Sequence, residues 1–112
     1  ALESGQFNQV LSKWFRYFIA YDPEPILKKV KCPVLAINGE KDLQVVPKEN
    51  LAGIEKALKA AGNKDVTIKE FPNLNHLFQN CKTGLVAEYS RIEETFAPEA
   101  LKFISDWILK RF

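Results

Sequence analysis

The stretch Cys32-Pro33-Val34-Leu35-Ala36-Ile37-Asn38-Gly39-Glu40-Lys41-Asp42 decides how this chain folds. Four successive apolar residues, Val34 to Ile37, stand between a proline that opens an extended segment and an Asn-Gly pair that closes it. A strand apolar at every position is covered on both faces, the habit of a parallel sheet flanked by helices. Pro47 then suits a first helical position, and Leu51, Ile54, Leu58 and Ala61 recur on one face of a helix that stops at Gly62-Asn63. A second strand runs from Asp65 to Phe71. In it Val66 and Ile68 alternate with Thr67 and Lys69, so one face is wetter. Strand, helix, strand is a crossover that lays the two strands parallel in its right-handed form.

Upstream, Phe7, Val10, Leu11, Trp14, Phe15, Phe18 and Ile19 fall on one helical stripe, which Asp22-Pro23 ends. Pro25 to Val30 makes one further short turn, with Lys28, Lys29 and Lys31 as a solvated face. Downstream, a loop runs from Pro72 to about Thr95, with a helical turn expected near Arg91-Ile92-Glu93-Glu94. A last helix from about Pro98 presents Leu101, Ile104, Ile108 and Phe112, its stripe widened by Phe103 and Trp107. The fold class is α/β, in the order helix, strand, helix, strand, loop, helix. Two strands are too few for a stable sheet of their own. The pattern reads as one end of a larger sheet.

The chain has 112 residues, so residues 1–112 make a single domain. Its net charge is only +2, which argues against nucleic acid or an anionic membrane as partner. With 46% hydrophobic and 27% charged residues it has the composition of a globular domain, not a disordered one. No apolar run approaches the ~20 residues of a membrane span, and Ala1-Leu2-Glu3-Ser4 lacks signal-peptide character. Two cysteines and one histidine cannot make a zinc cluster, and no CxxC redox motif or other cofactor site is implied. Cys32 and Cys81 are read as reduced thiols, a single disulfide being the alternative.

Chemistry concentrates at Asp42 and His76. Each lies just past the carboxyl end of a strand, where open parallel sheets gather their catalytic groups. Adjacent strand ends bring the two within reach. A carboxylate bonded to imidazole fixes its tautomer and stabilises the cation formed when the other ring nitrogen takes a proton. Taken singly, Asp42 is also what a backbone-capping turn residue looks like, and a lone loop histidine is unremarkable.

The run from Cys32 to Pro47, followed by Asn73-Leu74-Asn75-His76-Leu77-Phe78, resembles the α/β-hydrolase superfamily, in its carboxylesterase, serine-aminopeptidase-like and dienelactone-hydrolase-like branches. The resemblance covers most of the chain from about residue 22 onward. It implies that these are the last two strands of that fold, with Asp42 at the acid position, His76 at the catalytic histidine and Pro98 to Phe112 as the closing helix. The residues before Tyr21 resemble, less specifically, the helix before the penultimate strand. The superfamily's order is Ser, Asp, His, with the serine in a G-x-S-x-G elbow. This chain has no such motif: Ser4, Ser12, Ser90 and Ser105 all lack the flanking glycines.

The chain is therefore read as the C-terminal segment of a serine hydrolase acting on a small-molecule ester or a peptide, inert when separated from its nucleophile. The alternative is a small interaction module whose Asp42 and His76 are relics. Cys81 and Ser90 are weak stand-ins for the nucleophile. Glu93 and Glu94 read as solvated helix charge. Leu43, Leu77 and Phe78 line an acyl pocket or, more simply, pack the core. The edge of Val34–Ile37 left open by the missing strands is expected to pair with itself in a homodimer, unless the first helix folds over it.

Overall fold

The computed structural model describes residues 12–112. Helix α1 spans Lys13–Ala20, opened by Ser12, whose hydroxyl accepts the Phe15 N–H at 3.1 Å. None of the described residues of its apolar stripe is buried. Trp14, Phe18 and Ile19 are all exposed, and the Trp14 and Phe18 rings stack on each other at 5.4 Å. Phe7, Val10 and Leu11, the upstream part of that stripe, lie outside the described residues. A short helix α2, Glu24–Leu27, follows where Asp22 accepts the Glu24 N–H.

Strands β1 (Val34–Gly39) and β2 (Val66–Phe71) pair parallel, Val34 opposite Val66 through Gly39 opposite Phe71. Helix α3 (Pro47–Ala60) connects them, and helix α4 (Pro98–Arg111) closes the chain. The helices take opposite faces of the sheet. On one, Asn50 of α3 bonds Asn38, which shares its side with Val34 and Ala36. On the other, Trp107 of α4 donates its indole N–H to Thr67, and Phe71 packs with Ala97, Ala100 and Phe103. Phe103 and Phe78 both meet the Phe71 ring edge-on, at 5.6 and 6.4 Å. This aromatic cluster is the core beneath the candidate site. The apolar character of Val34–Ile37 is thus explained by cover on both faces.

Three expectations need correcting. Asn38-Gly39 does not close the first strand but belongs to it, because the ladder continues until Glu40 N–H donates to Phe71 C=O at 2.8 Å. The turn in the long loop is a 3-10 helix at Val86–Arg91, upstream of Arg91–Glu94, where the Glu88 carboxylate gathers the N–H groups of Lys82, Thr83 and Gly84. On α4 the inward face is Ala100, Phe103 and Trp107, while Leu101, Ile108 and Phe112 are exposed. Small alanines let α4 approach Phe71 closely, and a two-stranded sheet is too narrow to reach the rest of the helix's apolar stripe. Both cysteines are free, Cys32 exposed and Cys81 half-buried, so they stand as thiols.

Candidate active site

Asp42 follows β1 by three residues in a tight turn that its own side chain builds. Oδ1 accepts the backbone N–H groups of Gln44 and Val45, both at 2.9 Å. This is the capping role that a Gly-x-x-Asp turn suggests by itself. The second oxygen is left free for other work. Oδ2 accepts from Asn38 Nδ2 at 3.1 Å and lies 2.9 Å from His76 Nδ1. Asp42 is 6% exposed, so the contact is shielded on the carboxylate's side. Burial pushes the carboxyl up, but the Val45 N–H, His76 and the Gln44 N–H outweigh it and hold the acid below its usual range. A carboxylate at this point requires Nδ1–H on the neutral ring, which leaves Nε2 as the nitrogen that takes a proton.

His76 owes its position to two features that composition and periodicity do not reveal. The first is Gly39. A Cβ there would run into the carbonyl oxygens of Leu74 and Asn75, 2.6 Å from the latter. Glycine allows the β2 loop to lie directly on the end of β1, where Lys41 N–H donates to Leu74 C=O at 2.9 Å. The second is Asn75, fully buried beside the histidine. Its Oδ1 accepts the N–H groups of Leu77 and Gln79, and its Nδ2 donates to Gln79 Oε1 at 3.0 Å. Gln79 then donates to the Glu94 carbonyl, and Ala97 N–H donates to Phe78 C=O, tying the loop to the start of α4. Within that knot Phe78 adopts φ 57°, a left-handed conformation costly for an aromatic residue. The only sequence sign of this arrangement is the density of Asn and Gln around His76.

The other candidates fall elsewhere. Cys81 donates weakly to Asn73 C=O, and burial followed by the nearby Glu88 pushes its thiol up, away from nucleophilic thiolate. Ser12 caps α1, Ser90 lies in the 3-10 turn, and Ser105 is on the exposed side of α4; Ser4 is outside the described residues. Glu93 is exposed, whereas Glu94 is structural, its Oε1 accepting from the Asn80 backbone at 2.8 Å. Phe78 packs in the core, and Leu43 and Leu77 stand exposed at the rim. Among the described residues no three His, Cys, Asp or Glu side chains converge as metal ligands would.

Two parallel strands joined by a crossover helix, with Asp42 after the first bonded to His76 after the second, are the arrangement that the α/β-hydrolase resemblance leads one to expect. The profile of the dienelactone hydrolase family matches residues 18–108, and the chain belongs to that family. No curated protein and no solved structure matches it significantly. Its lineage is that of a hydrolase.

Proposed function

We propose that residues 1–112 are the C-terminal part of an α/β-hydrolase domain and supply two members of a Ser-Asp-His triad, Asp42 as the acid and His76 as the general base. The observation that carries this reading is the 2.9 Å approach of Asp42 Oδ2 to His76 Nδ1, with Oδ1 anchored on two backbone N–H groups. Such a pair turns the Nε2 lone pair of the neutral ring toward an attacking hydroxyl, then stabilises the imidazolium formed when that proton is taken. The nucleophile elbow and oxyanion hole belong to sequence outside this chain. The substrate class favoured is a carboxylic ester, since the family is named for a lactone hydrolase and a lactone is a cyclic ester.

Turnover of an activated aryl ester tests the reading. The 112-residue chain should hydrolyse it no faster than buffer, because the oxyanion-stabilising donors that often dominate acyl-transfer catalysis are missing. A protein that continues upstream through a nucleophile elbow should be active. In it Asp42→Asn should lower kcat by about 10⁴-fold, the cost of holding the wrong imidazole tautomer. Turnover by the isolated chain that disappears in His76→Ala, or an active longer protein indifferent to Asp42→Asn, would overturn the proposal.

A further inference from the structure

The Asp42 carboxylate is held at both ends, and only one end is accounted for by its own turn. Oδ1 rests on the Gln44 and Val45 N–H groups, but neither of these donors touches Oδ2. Oδ2, the oxygen facing His76, is reached by Asn38 Nδ2 at 3.1 Å. Asn38 is 3% exposed and its amide also points at the Val45 carbonyl at 3.4 Å. Its orientation is unambiguous, because a carboxylate and a carbonyl can only accept, so the NH₂ must face them. The Asn38 Oδ1 then needs a donor, and Asn50 Nδ2 at the end of the first turn of α3 provides it at 2.8 Å. Each amide in the series has one permitted direction.

We infer that Asn38, itself held by Asn50, is a positioning residue that fixes Asp42 Oδ2 on His76 and so sets the imidazole tautomer. This explains a buried asparagine at the penultimate position of an otherwise apolar strand, where an aliphatic residue would pack at no polar cost. It also assigns α3 a part in the site: the helix carries the last donor of a relay running Asn50, Asn38, Asp42, His76. The inference rests on the reading of Asp42 and His76 as a working pair.

His76 is the single histidine of the chain, so imidazole nitrogen NMR reports on it alone and requires no activity. At a pH where the ring is neutral, the native chain should show the proton on Nδ1. In Asn38→Leu, and in Asn50→Ala on the more accessible helix, the ratio of Nδ1–H to Nε2–H should fall by about tenfold, the scale of one hydrogen bond to a charged group. Amide spectra establish that each variant is folded. Native tautomer ratios in folded variants would overturn the inference, since the two backbone donors would then suffice. Should neither variant fold, the native chain decides: the Asn38 side-chain NH₂ protons must exchange slowly with solvent, and fast exchange overturns the relay. Asp42→Asn is the separate control. If it leaves the native ratio unchanged, the Asp42–His76 pair itself fails, whatever Asn38 does.

Discussion

At the scale of single residues, the site depends as much on an absent atom as on the groups that are present. Gly39 has no unusual turn to make; it is glycine because the carbonyls of Leu74 and Asn75 occupy the space a methyl would need. Gly39→Ala should therefore cost about 1–3 kcal/mol in urea unfolding, as overpacking does, and should move the loop that carries His76. A shifted His76 resonance in a folded variant checks the second part. Titration supplies a second residue-scale prediction. Asp42 is held below its usual range, and Glu88, with the Lys82, Thr83 and Gly84 N–H groups around it, is pulled down to about 2 from 4.5. A lowered folded-state value means the stabilisation is complete above the unfolded value and is lost as pH falls toward the folded one. Thermal melts should hold level near neutrality and decline below about pH 4.5. Glu88→Gln should flatten that acid limb.

The elements differ in how firmly their faces are committed. In α3, Leu51, Ala57 and Leu58 are buried, and Leu58 has no exposed surface at all. Leu58→Ala should cost about 2–5 kcal/mol. In α4, neighbouring positions have opposite fates. Ala100 is sealed against Phe71, while Leu101 beside it is 53% exposed. Ala100→Leu should destabilise by about 1–3 kcal/mol, whereas Leu101→Ala should stay within about 0.5 kcal/mol. Urea midpoints of the pair test which face of the helix is inward. The end of α4 is fastened independently: Arg111 grips Asp65 through both carboxylate oxygens, at 2.8 and 2.6 Å, and lies over the Trp107 ring.

For the whole molecule, the dominant feature is the outer edge of β1, with which no strand pairs among the described residues. Val34 and Glu40 both direct their N–H groups to β2, and the alternation of a strand then turns those of Leu35, Ile37 and Gly39 outward. Charge, proline or a bulge within a strand would normally blunt such an edge, and β1 has only Pro33 just before its start. None of the described α1 side chains is buried, so the exposed aromatic stripe adds apolar surface to the same chain. We propose that the isolated chain associates as a two-fold dimer with its β1 edges antiparallel, and light scattering at micromolar concentration should find twice the monomer mass. A clean monomer refutes it. Ile37→Pro should weaken the dimer by removing an outward donor, while Ala36→Pro would instead break the ladder to β2.

What the sequence determined by itself was local or periodic. An unbroken apolar strand, a Pro-initiated helix with a regular stripe and a wetter second strand dictate a parallel pair with helices on both faces. The positions of Asp42 and His76 just past the strand ends follow from that order, because neighbouring parallel strands end side by side. Only the tertiary structure decided how the pair is made to touch. The clash of residue 39 with Leu74 and Asn75, the bond from Gln79 that ties the Asn75 knot to Glu94, and the bond from Asn50 to Asn38 join residues separated in the chain. Their energies come from which carbonyl or carboxylate lies opposite, and spacing in one dimension does not encode that. The outward turn of Leu101 and Ile108 has the same origin: periodicity shows that a helix has an apolar face, but the width of the sheet beneath decides how much of that face is covered.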